Sequence, residues 1–275
     1  MHILLGTDGS SYALAAARFL STLLHPEVRA HVDLVTVLDP EGVDAPTPGG
    51  ARDHERAHDR LTRTRAEVEH PGITVESRVL EGDPARALVT EAGSGGHDLV
   101  VVGVKGCGAT PFFELGSVAR RMSRATLPSL LLVRKGGGGY ARRLSSETQS
   151  SFRALLSTGE DGEGAEMRWG ILGALALAET VAHTAGPGRP NAVRELDRLA
   201  RQTEADLLIL GDDISDGDTL RTTIWTAPCT VLVARPAVSS TRGFGVGPSR
   251  STVRPPSDTT RPDPRRRSKR EAHPS

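Results

Sequence analysis

Residues 98–117 read DLVVVGVKGCGATPFFELGS. The run from Asp98 to Val102 is short, aliphatic and rich in β-branched residues, the pattern of a strand buried on both faces in a parallel sheet. Gly103 closes that run, Gly106 comes after two intervening residues and Gly116 after nine more, with Ser117 directly behind it. Glycines allow backbone N–H groups to approach an anion closely. A helix start beginning at Ser117 adds N–H donors, including that of Val118, and the positive end of the macrodipole. Lys105 projects from the same loop and would neutralise a phosphate. The arrangement suits phosphate binding, and it equally suits a plain strand-to-helix turn.

The chain opens on a second stretch of the same kind, Ile3-Leu4-Leu5-Gly6-Thr7-Asp8-Gly9-Ser10, followed by an alanine-rich helical pattern from Tyr12 to Leu24. In a doubly wound α/β sheet, ligands lie outside the carboxyl ends of the strands, where the strand order reverses. With the order 3-2-1-4-5, Asp8 and Gly103 flank that crevice. A carboxylate there is placed to hold a metal bridging phosphates or to accept hydrogen bonds from a ligand. As the alternative, Asp8 caps the helix that follows.

Residues 1–134 resemble a universal stress protein domain of the nucleotide-binding type. The family pattern Gly-x2-Gly-x9-Gly-Ser/Thr is met at Gly103, Gly106, Gly116 and Ser117 without a gap, and the turn around Asp8-Gly9-Ser10 and the closing segment Ala125 to Arg134 also match. The resemblance implies an open five-stranded parallel sheet, ATP bound without an obvious hydrolytic apparatus and a tendency to dimerise, and the sheet is expected to carry helices on both faces. The same resemblance places Thr7, Val37 and Val102 near the base and ribose; with Gly6, Gly103, Lys105, Gly106, Gly116, Ser117 and Val118 they are the expected nucleotide contacts, and Asp8 is the expected ligand of an accompanying Mg²⁺.

Bulk properties agree with such a sheet. Only 3% of the 275 residues are aromatic, so the core must be aliphatic. The two cysteines, Cys107 and Cys229, have no metal-ligand spacing and point to a reducing, cytoplasmic setting. No apolar run reaches the roughly 18 residues of a spanning helix. The net charge is zero, yet from Val238 onward nine Arg/Lys stand against three Asp/Glu, giving an acidic body and a basic tail.

Strands are expected at His2–Thr7, Ala30–Leu38, Thr74–Leu80, Asp98–Gly103 and Ser129–Val133, with helices at Tyr12–Leu24, Arg52–Glu69, Pro84–Ala92 and Ser117–Arg124. The Pro/Gly/Asp-rich stretch Pro40 to Gly50 reads as a loop on the ligand side. The first domain is expected over 1–135 and a Gly-rich linker over 136–151. A degenerate repeat follows over 152–236, then a disordered basic tail over 237–275. In the repeat, Phe152 onward echoes the opening strand and Met167–Ala178 reads as a helix. Asn191–Thr203 echoes the helix after Gly82-Asp83-Pro84, while Ala205–Gly211 and Ala227–Val233 echo the last two strands. A second strand and its helix read as missing. The repeat also lacks the phosphate loop, since Asp212, Asp213, Asp216 and Asp218 follow Gly211.

The two copies are expected to pair through their last strands as an intramolecular pseudo-dimer, with further homodimerisation open and weak polyanion contact through the tail. The nine histidines read as scattered, with His54 and His58 sharing a helix face. Cys107 is a candidate reactive thiol. No catalytic set assembles from the sequence, which favours an ATP-binding regulator. A slow ATPase or adenylyl-handling enzyme, and a scaffold that binds no nucleotide, stand as alternatives.

Overall fold

The computed structural model describes residues 1–39, 51–107, 115–125, 128–136, 152–158, 170–184, 192–211 and 217–235. The Pro40–Gly50 loop, the linker from 137 on, the aspartates at 212, 213 and 216, and the tail from 236 on therefore lie outside the described residues.

The first half alternates as its apolar periods require: β1 (His2–Gly6), α1 (Ser11–Leu23), β2 (Ala30–Leu38), α2 (Ala51–Val68), β3 (Ile73–Glu81), α3 (Pro84–Ser94), β4 (Leu99–Gly103), α4 (Ser117–Met122) and β5 (Ser129–Val133). Ser10 caps α1, its hydroxyl accepting from the Ala13 N–H at 3.2 Å. Buried Ala13, Ala16, Ala17, Leu20 and Leu23 form the inner stripe of that helix. Asp83 caps α3 and Pro84 supplies the first helical position, where its missing N–H costs no hydrogen bond.

The second half contributes β6 (Phe152–Thr158), a 3-10 turn at Gly170–Ala174, β7 (Leu177–Thr184), α5 (Ala192–Gln202), β8 (Leu207–Gly211), α6 (Gly217–Thr226) and β9 (Thr230–Ala234). Two expectations are corrected here. In the stretch read as a helix over Met167–Ala178, the described residues from Gly170 on are the 3-10 turn followed by the start of β7. Gly170 and Gly173 weaken any longer helix, and the β-branched residues Thr180, Val181 and Thr184 favour the extended chain. The second strand of this half is therefore present as β7, parallel to β6. What the half lacks, among the described residues, is a third strand beyond β7.

All nine strands form one sheet in the order β3-β2-β1-β4-β5-β9-β8-β6-β7. The expected 3-2-1-4-5 order holds for the first five, but the sheet does not stop there. Every pairing is parallel except that of β5 with β9, where Leu130, Leu131 and Leu132 face Val233, Leu232 and Val231. Both faces are aliphatic with period two. Ile3, Leu5, Val101, Leu131, Ile209 and Leu232 enter one core with α1, α2 and the 3-10 turn; Leu4, Val100, Leu130, Leu208 and Val231 enter the other with α3 to α6. Phe19 of α1 meets Phe152 of β6 edge-on at 5.1 Å, so the first core runs from one half into the other.

Candidate functional site

Parallel pairing of β1 with β4 brings their carboxyl ends side by side, with Leu5 beside Val101. A Cβ at Gly6 would meet Leu88 Cδ1 at 2.9 Å and Val102 Cγ1 at 3.1 Å, so Gly6 and Val102 sit in contact at the mouth of the crevice. Val37, half-buried near the end of β2, lies at the same end of the sheet. Gly103 is pressed against the Tyr12 backbone, where a Cβ would come within 3.0 Å.

The structure gives Thr7 and Asp8 definite local work. Thr64 donates its hydroxyl to Arg60 O, so the 2.8 Å bond between Thr7 and Thr64 has Thr7 as donor. The Thr7 oxygen in turn accepts the Gly9 N–H at 3.1 Å. Gly9 turns at φ +72°, and a side chain there would run into Arg60. Asp8 does not cap α1, since Ser10 does. Its Oδ1 accepts the Ser10 N–H at 2.9 Å and its Oδ2 accepts the Cys107 N–H at 2.7 Å. The Asp8 carboxylate thus staples the loop after β1 to the loop after β4. A Cβ at Gly106 would be driven into that same Oδ2, which is why the loop needs glycine there.

Gly116 rather than Ser117 is the N-cap of α4, with no side-chain capping bond. Its N–H is spent on Val104 O at 2.9 Å, folding the loop back onto the end of β4. A Cβ on Gly116 would lie 3.3 Å from Lys105 Cα and 3.5 Å from Gly106 N. The N–H groups of Ser117 and Val118 then occupy the first turn, where a helix makes no internal bonds to its donors. The expected site residues from Gly6 to Val118 are therefore gathered at one end of the sheet, around loops in which a side chain at Gly106 would strike Asp8 and one at Gly116 would crowd the backbone of Lys105. Phosphate oxygens fit such a cradle. An ion at Asp8 would take most of its ligands from phosphate and water, because Asp8 is in neither of the three-residue ligand groups found among the described residues.

Cys107 is exposed at this loop, whereas Cys229 is buried and its thiol is pushed up to about 12, chiefly by burial.

Sequence reading missed a cluster at the opposite end of the sheet. His2, His31 and His97 all bring Nε2 to Asp33, at 3.2, 3.3 and 3.0 Å. Burial, then the neighbouring His97, push the His2 imidazole below its ordinary value. Burial pushes the Asp33 carboxyl up, but the His97 hydrogen bond and the Arg78 guanidinium outweigh it and leave the carboxyl below its usual range. The signal was legible: each histidine lies at or just before the amino end of an apolar strand run, and parallel strands align those ends.

The fold is a doubly wound α/β sheet with a glycine-lined crevice at its switch point, the place where ligands lie in sheets of this class. Residues 1–134 match the Universal stress protein family. The universal stress protein MJ0531 of Methanocaldococcus jannaschii is 30% identical over 139 residues, spanning 48% of this chain and 81% of that protein. The chain belongs to the universal stress protein family. A universal stress protein from Archaeoglobus fulgidus DSM 4304 superposes on 86% of this chain and 97% of its own, with a TM-score of 0.56 at 16% identity. The likeness in fold thus extends over both halves of the chain. A universal stress protein solved in complex with cAMP matches 49% of this chain and 96% of its own, at 26% identity and a TM-score of 0.36. Among the described residues no helix is long and apolar enough to cross a membrane.

Proposed function

We propose that residues 1–134 bind ATP, accompanied by Mg²⁺ at Asp8, in the crevice between β1 and β4. The protein then acts as a cytoplasmic stress-response regulator through nucleotide-dependent conformation or partner contact. The observation that carries this reading is the loop geometry. Asp8 pins the Cys107 N–H, Gly106 and Gly116 keep the backbone of the loops closely packed, and α4 opens toward the cradle without a side-chain cap. An anionic ligand is the natural acceptor for donors arranged in that way.

Residues 152–236 are, on the same reading, a shortened repeat of the first domain, and the chain is an intramolecular pseudo-dimer. Two sets of matching contacts support it. The Asp98 carboxylate accepts the His2 N–H while the Asp98 N–H donates to His2 O; the Asp206 carboxylate accepts the Arg153 N–H while the Asp206 N–H donates to Arg153 O. At the seam, the Arg134 N–H donates to the Thr230 hydroxyl at 3.3 Å and the Arg235 N–H to the Ser129 hydroxyl at 3.2 Å. Such reciprocity is what a two-fold relation imposes.

Isothermal titration of the full chain with ATP tests both parts. We expect about one ATP per chain and at least tenfold weaker binding, about 1.4 kcal/mol, for Gly116→Val. Equal affinity for the two proteins would overturn the assignment of the cradle. Two ATP per chain would overturn the assignment of the second half as silent.

A further inference from the structure

The histidine cluster lies at the amino ends of the strands, at the far end of the sheet from the glycine loops. His2 and His31 are register partners at the starts of β1 and β2, and Asp33 follows two residues along β2. Their ligand atoms, two imidazole nitrogens and a carboxylate oxygen, all lie within 4.8 Å of one another. We infer that His2 Nε2, His31 Nε2 and Asp33 form a site for one divalent transition-metal ion of the zinc class, with a fourth position open to water.

The donor set is right for that class. Imidazole and carboxylate suit Zn²⁺, which takes nitrogen and oxygen at about 2.0–2.2 Å in a tetrahedron, and the edge of that tetrahedron is about 3.3 Å. His31 Nε2 already stands 3.3 Å from Asp33 Oδ1, and His2 Nε2 stands 3.2 Å from Oδ2. Each imidazole nitrogen thus stands at about that separation from the carboxylate, one from each oxygen, and the three ligand atoms lie within 4.8 Å of one another.

One ligand nitrogen also lacks other work. His2 Nε2 is buried, and its 3.2 Å approach to Asp33 Oδ2 is poorly aligned for a hydrogen bond. A buried polar atom left poorly paired is costly, and a metal ion would satisfy it. The His2 ring is held in place by His97, with centroids 4.3 Å apart, and by His31 at 5.1 Å.

A second layer orients the carboxylate. His97 Nε2 and Arg78 Nη2 both reach Asp33 Oδ2, at 3.0 and 2.6 Å, which leaves Oδ1 turned toward His31. Hydrogen-bonded partners of this kind fix ligand orientation at metal sites. His97 is thus a positioning residue. Arg78 is itself shared with Glu91 Oε1 at 2.8 Å, and Glu76 Oε2 stands 3.8 Å from His31 Nε2. Three carboxylates, Asp33, Glu76 and Glu91, thus stand against the single guanidinium of Arg78, a balance of fixed charges that favours a cation.

The fold does not require these histidines. In the second half the place of His2 is taken by Arg153 and that of its register partner by Glu179, which form an ion pair at 3.6 Å. One site per chain follows.

The experiment is Zn²⁺ titration of the full metal-free chain, with Co²⁺ absorbance as a second readout. We expect one tight Zn²⁺ per chain, weakened at least a hundredfold by His31→Ala and ten- to a hundredfold by His97→Gln. Removing the exposed α2 pair together, His54→Ala with His58→Ala, should leave the tight site unchanged. Circular dichroism checks that each variant is folded. The visible band of bound Co²⁺ should be that of a tetrahedral ion in wild type and be lost in His31→Ala. No tight Zn²⁺, or wild-type affinity in folded His31→Ala, would overturn the inference. So would loss of the tight site in the His54/His58 variant.

Discussion

At the seam, β5 and β9 make the same contacts twice. The Arg134 guanidinium donates to Ile224 O and Trp225 O near the end of α6, at 2.9 and 3.2 Å, and the Arg235 guanidinium reaches back to Ala125 O, just past α4, at 3.2 Å. At the two ends of the sheet the halves part company. The first half carries the stapled glycine loops at one end and the histidine cluster at the other. The second half holds an Arg153–Glu179 ion pair where the cluster would be. Contacts that join the halves are matched, while among the described residues the stapled glycine loops and the histidine cluster belong to the first half. This pattern is expected if the second half is kept for what it covers. Without β9, β5 would be an exposed apolar edge, and such edges pair with other chains.

The largest test of that view lies in the centre of the seam. Leu131 and Leu232 are register partners, and both are almost fully buried. Leu131→Ala and Leu232→Ala should each destabilise by about 2–5 kcal/mol. Because the two side chains sit on one shared patch, the double variant should cost less or more than the sum. Both tryptophans, Trp169 and Trp225, lie in the second half, so their emission reports on that half and on the seam that Trp225 borders. Leu131→Ala should shift the tryptophan transition and the circular dichroism transition together in denaturant. A tryptophan transition that stays put while the dichroism moves would mean that the halves unfold independently.

A smaller effect is expected from the paired arginines. Burial pulls the Arg134 guanidinium below its ordinary value, and its two acceptors are backbone carbonyls of the other half. Arg134→Met keeps an apolar stem and removes the donors, and should cost about 2 kcal/mol, in the range for hydrogen bonds to a charged group. Arg235→Met should cost about 1 kcal/mol on the same scale. Urea midpoints of the two variants decide it. An effect for Arg134→Met within error of zero would show that the seam rests on its apolar strands alone.

Most of the first half was legible in the sequence because its signals agree. Aliphatic runs of strand length, glycines at their carboxyl ends and capped amphipathic helices between them all point to βαβ units, and β2 and β5 fall where the sequence places them. The site loops were legible as glycine spacing, but the work of Asp8 was not. Its acceptance of the Cys107 N–H is a contact across ninety-nine residues that no local pattern encodes. In the second half the Leu177–Thr184 strand was hidden by the alanine and leucine content ahead of it, where composition outweighed the period-two alternation. The histidines were seen one at a time because they are brought together only by register. His2 and His31 become neighbours through strand pairing, and His97 joins them because β4 lies on the other side of β1.

The smallest test concerns a single cap in the first half. The Asp83 carboxylate accepts the Arg86 N–H at 2.8 Å at the start of α3, and that bond, with help from Arg121, holds its carboxyl below the usual range despite partial burial. A depressed value in the folded state means that the carboxylate contributes stability above its unfolded value near 3.8, and that this is lost as pH falls through the folded value. Asp83→Ala should therefore cost about 1 kcal/mol at neutral pH, as cap removal does. The gap to wild type should shrink as the pH is taken below about 4. Asp83→Asn separates the cap from the charge, because asparagine caps equally well and does not titrate. That variant should sit close to wild type at neutral pH and show no such narrowing. If Asp83→Asn is as unstable as Asp83→Ala, the exposed Arg121 pair rather than the cap carries the effect. Because the sheet is continuous, even this change at α3 should move the tryptophan transition of the other half by the same amount.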